Sequence, residues 1–457
     1  MNSLQVLNVN PHTKTAVVEP NVSMGQLVRA TLNQGLIPPV VPEFPAITVG
    51  GAFSGTAGES ASFKHGFFDS IVNWIQIVLA NGNIILASEK ENADLFYGAA
   101  GSFGTFGVIT AFEVQLVHAQ PFVEVTYLPV HSLFDAVEQT KAASKDPSND
   151  FVDAIQFSKY QGVIVTGCLS HAPGKNSSIQ RFSRAKDPWF YIHVENKLKV
   201  NVFSWTEAVP IVDYLFRYDR GAFWAAKPVF TYFATPFNDF TRWASDGFMH
   251  TKTLYHGLHE NGMAKDNIIQ DLALPASQAP NFMEWLDVDF GIYPLWLCPV
   301  RQTEQKCMNP HTPERAMLDN QRSEKRTDSS RELLISIGVW GPRLPNPKDF
   351  VAENQKIERK VRELGGFKWL YAHCHYTEAE FWEIYDWKWY NALRAKYHAT
   401  YLPTIYDKIK FDWDAERRAI EASWLRWFFS FIWWIWPVPG IYGVICVLMQ
   451  SEYLLNR

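Results

Sequence analysis

The residues best suited to chemistry lie in two glycine-rich runs. The first is Thr48-Val49-Gly50-Gly51-Ala52-Phe53-Ser54-Gly55-Thr56-Ala57-Gly58-Glu59-Ser60, preceded by Pro42-Glu43. Glycine lets a backbone approach a ligand and take positive φ. Successive exposed amides then make a nest for an anion such as a pyrophosphate. Thr48, Ser54, Thr56 and Ser60 add hydroxyl donors. The run is neither a GxGxxG turn nor a GK[ST] phosphate loop. The second run is Gly98-Ala99-Ala100-Gly101-Ser102-Phe103-Gly104-Thr105-Phe106-Gly107-Val108-Ile109-Thr110. Its glycines recur at every third position and lead into a strand. That spacing suits a backbone pressed flat against a planar ring, with Gly104, Thr105, Gly107 and Val108 as contact candidates. Taken singly, the first run reads equally as a small-residue surface loop, and the second as a tight helix-to-strand connection.

Flanking elements must position these runs. Thr15 to Glu19 is β-prone. Ser23, with Gln26 three residues later, forms a capping box. Leu27, Val28, Thr31 and Leu32 share one helical face, and Gly35 followed by Pro38-Pro39 stops that helix. Ile75 to Ala80 and Ile84 to Ala87 flank Asn81-Gly82, a hairpin signal because both turn residues tolerate positive φ. Asn92 is expected to cap a short helix through Tyr97, and a strand follows from Gly107 to Leu116. In the middle of the chain, Gly162 to Cys168, Tyr293 to Pro299 and Leu333 to Val339 read as strands, the last two in an antiparallel sheet. Arg301 to Glu332 is polar and reads as a surface loop or insertion, and Glu378 to Lys396 as a helix.

A chain of 457 residues with 47% hydrophobic content supports two globular domains. The net charge of −5, without a Lys/Arg-rich stripe, argues against a nucleic-acid partner. The 15% aromatic content fits large aromatic cores, or a pocket for a big apolar ligand. Five scattered cysteines with no CxxC pair argue against a disulfide framework and fit a reducing compartment. No apolar run follows Met1, so no secretory signal is expected. Trp427 to Met449 carries no charge and is long enough to cross a bilayer, which takes about 20 apolar residues. Pro437, Pro439 and Gly440 interrupt it, so a kinked span, a re-entrant hairpin, an interfacial anchor and a buried helix pair all satisfy the pattern. Arg417, Arg418 and Arg426 fit a cytosolic flank.

Other chemistry finds less support. His373 and His375 would share one face of a strand and could pair on a metal, but no third ligand at a familiar spacing completes a site, and none is expected. There is no GxSxG elbow for a serine hydrolase. His65 and His118 stand alone and read as structural.

Together and in this order, the two glycine runs resemble the FAD-binding domain of the vanillyl-alcohol-oxidase/PCMH flavoproteins. In that family such segments hold an extended flavin dinucleotide. The likeness sharpens toward the Δ24-sterol reductase branch in Val41-Pro-Glu43, Lys64-x-Gly66, Glu91-Asn-Ala-Asp-Leu-Phe-Tyr97, Pro188-Trp-Phe190, His193-Val-Glu-Asn196 and Phe223-Trp224. It continues in Tyr293-Pro-Leu-Trp-Leu-Cys-Pro299, Leu370-Tyr-Ala372, Glu380-Phe-Trp-Glu383, Leu393-Arg394 and Tyr406-Asp-Lys408.

The resemblance implies an α+β protein in three parts: a PCMH-type FAD-binding domain over residues 1–120, a substrate or cap domain over 121–412 that ends by returning to the FAD domain, and a membrane-associating tail over 413–457. It implies non-covalent FAD, NADPH as electron donor, and reduction of the side-chain C24=C25 double bond of a sterol or related triterpenoid. The expected setting is the endoplasmic reticulum membrane, with the catalytic part facing the cytosol. Tyr371 is the candidate pocket residue near the flavin ring; the proton donor is unassigned. A flavin oxidase of a small alcohol or sugar acid shares the domain, and a non-catalytic membrane-associated paralogue is the remaining alternative. Three departures bear on the comparison. The chain starts after the family's first FAD lobe, its apolar run is C-terminal rather than N-terminal, and His373 stands where family members tend to have Asp.

Overall fold

We describe residues 5–175, 177–201, 203–260, 267–302, 308, 332–343, 347–372, 374–410 and 436–450 of the chain, from a computed structural model. The first part forms a five-stranded antiparallel sheet in the order Val6–Asn10, Thr15–Val18, Gly107–Gln115, Val72–Leu79, Ile84–Ser88. Period-2 burial fixes its faces: Ala16 and Val18 point inward while their neighbours are half-buried. Helix Met24–Leu32 begins as its sequence dictates. The Ser23 hydroxyl accepts from the Gln26 N–H, and the Gln26 side chain accepts from the Ser23 N–H. Gly35 takes φ +69° just beyond the helix end.

Two local expectations change. The Asn81-Gly82 hairpin is not a two-residue turn. Leu79 accepts from the Gly82 N–H and donates to the Asn83 carbonyl, so Ala80, Asn81 and Gly82 all lie in the loop. Only Gly82 takes positive φ, while the Asn81 side chain accepts from the Asn83 N–H, a turn closed by a left-handed glycine. Asn92 precedes a helix, Ala93–Ala99, but makes no side-chain cap; its amide donates back to the Leu86 carbonyl at 2.9 Å.

The middle of the chain forms a nine-stranded sheet. Its order is Ser178–Ile179, Trp205–Pro210, Phe122–Val130, Gln161–Ser170, Phe151–Ser158, Leu295–Val300, Leu334–Arg343, Asn267–Pro275, Phe367–Lys368. All pairs are antiparallel except the first. Leu295–Val300 and Leu334–Arg343 pair at its centre, with Leu297 opposite Ile337, as the sequence led us to expect. Every residue of Leu295–Val300 is buried, because a central strand covered on both faces reads as an unbroken apolar run. Helices Leu133–Lys145 and Ala279–Asp289 contribute Ala136, Val137, Phe282 and Leu286 to the core on one face.

The segment read as one helix from Glu378 to Lys396 is two: Glu378–Ile384, capped by Thr377 with Glu380, and Trp387–Lys396, capped by Asp386 through the Trp389 N–H. An Asp is favoured at a cap and competes for the backbone inside a helix, so Asp386 breaks the run. The second helix returns the chain to the five-stranded unit. Lys396 Nζ meets Asp94 at 2.6 Å, and the Tyr397 hydroxyl donates to Asp94 at 2.7 Å.

Most of the polar run Arg301 to Glu332 falls outside the described residues, as do His373, Arg417, Arg418, Arg426 and the start of the apolar tail. The described end of the tail is helix Val438–Gln450. Pro439 sits in its first turn, where a missing N–H costs nothing. Thirteen residues make about 20 Å of helix, short of the ~30 Å hydrocarbon core. No helix among the described residues is long and apolar enough to cross a membrane.

Candidate functional site

The two glycine runs meet. The Gly101 N–H donates to the Phe53 carbonyl at 3.2 Å, and the Phe103 N–H donates to the Ser54 carbonyl at 3.2 Å. The first run is not the irregular loop its glycines suggest. Val49–Ser54 is a short helix whose N-cap, Thr48, accepts from the Gly51 N–H at 3.0 Å. This corrects the expected anion nest, because most of its amides are already used. Val49 and Gly50 donate to the Val22 and Pro20 carbonyls, Ala52 to Thr48, Gly55 to Gly51 and Ala57 to Ala52. Several hydroxyls are committed as well. Ser60 donates to Glu59 at 2.8 Å, and Thr105 donates to the Ser102 carbonyl while pairing with the Tyr390 hydroxyl at 2.8 Å.

The glycines therefore divide by role. A Cβ on Gly50 would lie 2.9 Å from Pro20, on Gly58 2.9 Å from Phe67, and on Gly107 2.4 Å from the Val78 carbonyl, so these serve close internal packing. Gly51 is exposed. Gly104, at φ +70°, has no atom nearer than 3.7 Å to such a Cβ, and the next neighbour is Lys408 Nζ at 3.9 Å. Lys408 in turn donates to the Phe103 carbonyl at 2.7 Å. An open backbone edge beside a lysine fits an anionic dinucleotide in shape and charge. Of the other segment members, Val108 is exposed and Thr56 takes φ +58°.

Behind Ser60 lies a buried polar cluster that ties the end of the first glycine run to the nine-stranded sheet. Asp153 Oδ2 accepts from Arg217 Nη2 at 2.9 Å, the Tyr218 hydroxyl at 2.7 Å and Trp296 Nε1 at 3.0 Å. Arg217 Nη2 also reaches Ser60 Oγ at 3.3 Å, and the guanidinium lies 4.1 Å from the Tyr214 ring centroid. Glu59 accepts from Ser60 and from the Ala61 N–H; burial still pushes its carboxyl up to about 7, against the lowering effect of those bonds and of Arg217. Burial, and then the neighbouring Glu59, hold the Glu43 carboxyl well above its ordinary range.

Tyr371 stands near the edge of this region. Nearly half of its surface is accessible (49%), and its hydroxyl is an electrostatic neighbour of the buried Asp271 carboxyl. Asp271 Oδ2 also accepts from Trp340 Nε1 at 3.3 Å. Burial pushes the Asp271 carboxyl up to about 7, although Trp340, Lys368 and Tyr371 all favour its ionised form. Sequence reasoning named Tyr371 as a candidate and did not name Asp153, Arg217 or Asp271. A signal existed: Asp153 and Asp271 are the single acids inside the largely apolar strands Phe151–Ser158 and Asn267–Pro275, where an unpaired charge is costly.

The fold and these segments define a flavin-dinucleotide-binding protein with a second, large and mostly antiparallel sheet. Residues 1–88 match the FAD binding domain family. The chain is 31% identical to human Delta(24)-sterol reductase over 90% of its length and 77% of that protein. It is 29% identical to the Arabidopsis thaliana Delta(24)-sterol reductase and 30% to that of Pisum sativum, each over 92% of this chain and 77% of the relative. The chain belongs to the Delta(24)-sterol reductase family. A shorter likeness, 32% over 36% of the chain, links it to cytokinin dehydrogenase 9 of rice.

Proposed function

We propose that this chain is an FAD-dependent oxidoreductase that reduces the side-chain C24=C25 double bond of a sterol or related triterpenoid, with NADPH as electron donor. The observation that carries this reading is the meeting of Phe53 and Ser54 with Gly101 and Phe103, in a chain related to the reductases across both sheets. Exposed Gly51, open Gly104 and the charge of Lys408 would hold the dinucleotide. A bound flavin supplies hydride transfer from the nicotinamide to one alkene carbon. The chain must deliver a proton to the other carbon, and Tyr371 carries a suitable hydroxyl, backed by Asp271. The sum is one hydride and one proton added across the double bond, with NADPH oxidised to NADP⁺.

The test is a spectrum of the purified protein. A flavin band should bleach with NADPH and return on adding a Δ24-unsaturated sterol. Gly104→Glu should lose the flavin, because a carboxylate would occupy the open edge and neutralise Lys408. Gly104→Asn should keep it, since Asn tolerates the left-handed backbone. A wild-type protein without flavin, or one that only oxygen reoxidises, rules the reading out.

We also infer that the C-terminal helix rests in the interface of an intracellular membrane, most simply the endoplasmic reticulum, with the catalytic part in the cytosol. Ile441, Tyr442, Ile445, Leu448 and Met449 are exposed along it, an apolar stripe that lipid would cover. The double variant Ile445→Glu/Leu448→Glu should move a large share of the protein from the membrane pellet to the supernatant. Unchanged pelleting would remove this helix from the anchoring role.

A further inference from the structure

The nine-stranded sheet and the C-terminal helix enclose a cavity of about 720 Å³, within the size range of small-molecule sites. Trp224, Trp340 and Tyr293 line it from the cap, and Gly443, Val444 and Val447 line it from the helix. The helix is held there by specific contacts. Trp436 Nε1 donates to the Tyr232 carbonyl at 2.7 Å, and the Gly440 N–H lies 3.2 Å from the Tyr232 hydroxyl. A Cβ on Gly257 of helix Thr251–Glu260 would sit 3.6 Å from Val447, so the two helices approach closely. Gly440, Gly443 and Val447 are buried at i, i+3 and i+7, while Ile441, Ile445 and Leu448 face outward.

We propose that this cavity holds the apolar body of the sterol substrate and that helix Val438–Gln450 is its outer wall. The inference rests on the reductase reading given above. Three observations carry it. The flat faces of Trp224 and Trp340, whose ring centroids are 5.2 Å apart, suit a fused ring system. The inner helix face is small at Gly443, which lines the cavity, while Gly440 packs closely on Tyr232 and Phe233 and so seats the helix against the cap. Trp340 lines the cavity and also donates to Asp271, so one side chain separates the cavity from the Asp271–Tyr371 pair. The tail of the chain is then part of the substrate site as well as a surface for lipid.

Tryptophans introduced from opposite walls test this. Ile269 and Val444 both line the cavity and each keeps 37% of its surface accessible, so larger side chains there have room to enter it. In detergent solution, Ile269→Trp/Val444→Trp should weaken equilibrium binding of a Δ24-unsaturated sterol about tenfold or more, with flavin content as the check on folding. Ile445→Trp, of equal size on the outer face, should change that affinity less than about twofold. If the double variant loses its flavin, the single Val444→Trp variant is read instead and should weaken binding about threefold. A flavin-loaded cavity variant that binds sterol as tightly as wild type overturns the cavity assignment while leaving the reductase reading intact. A wild-type protein that neither binds the sterol nor is reoxidised by it overturns both.

Discussion

Replacing Arg217 with methionine should destabilise the folded chain by about 3–5 kcal/mol, the cost of leaving a buried carboxylate without its cation. Asp153 is fully buried and Arg217 is 2% exposed, so water screens neither. Tyr218 and Trp296 would still donate to Asp153, but they supply dipoles rather than charge. Arg217 also opposes the burial of Glu43 and Glu59, so its loss would leave three acids in one apolar region with no positive partner among them. The neutral pair Asp153→Asn/Arg217→Gln should recover more than half of the loss, because an amide still accepts from Tyr218 and Trp296. Urea unfolding of Asp153→Asn, Arg217→Gln and the double variant measures this directly. If the two single losses simply add in the double variant, the charges are not coupled and the argument fails.

That cluster also marks where the sequence stopped being readable. Local rules sufficed for the start of helix Met24–Leu32, since Ser23 and Gln26 need only each other. They sufficed for the central strands as well, because Leu295–Val300 is apolar throughout. The glycine runs located the region but misled about its form. Thr48 is a good cap, and the carbonyls of Pro20 and Val22, far back in the chain, take up the amides that looked free. Glycine content alone cannot distinguish Gly104, which is open, from Gly107, which is pressed on Val78. Asp153 and Arg217 meet across sixty-four positions, and Tyr371 comes beside Asp271 through the pairing of Phe367–Lys368 with Asn267–Pro275, which no local pattern specifies. The uncharged tail announced an apolar partner but not its identity. In the structure its helix has two such faces, one against the cavity and one outward.

Tyr371→Phe should lower the rate of sterol reduction by roughly 10²–10⁴-fold, the usual contribution of a positioned proton donor. The variant keeps the ring and its packing and removes only the hydroxyl that neighbours the Asp271 carboxyl. Asp271 acts through that hydroxyl, and it should reveal itself in the pH profile. Its carboxyl is raised from 3.8 to about 7, chiefly by burial. Below pH 7 it is protonated and can replace a proton lost from Tyr371; above pH 7 it is ionised and can only accept. The wild-type rate of sterol reduction should therefore hold below about pH 7 and fall as pH rises through that value. In Asp271→Asn that limb should vanish, leaving a lower rate that is flat across the same range, because the amide keeps the contact with Trp340 but does not titrate. Rapid-mixing measurements of flavin reoxidation by sterol, taken from pH to pH, separate this step from flavin reduction. A Tyr371→Phe protein that reoxidises at the wild-type rate would show that the proton comes from elsewhere. An Asp271→Asn protein that keeps the alkaline limb would assign the titration to another group, with Glu59 next in line because its carboxyl is also raised to about 7.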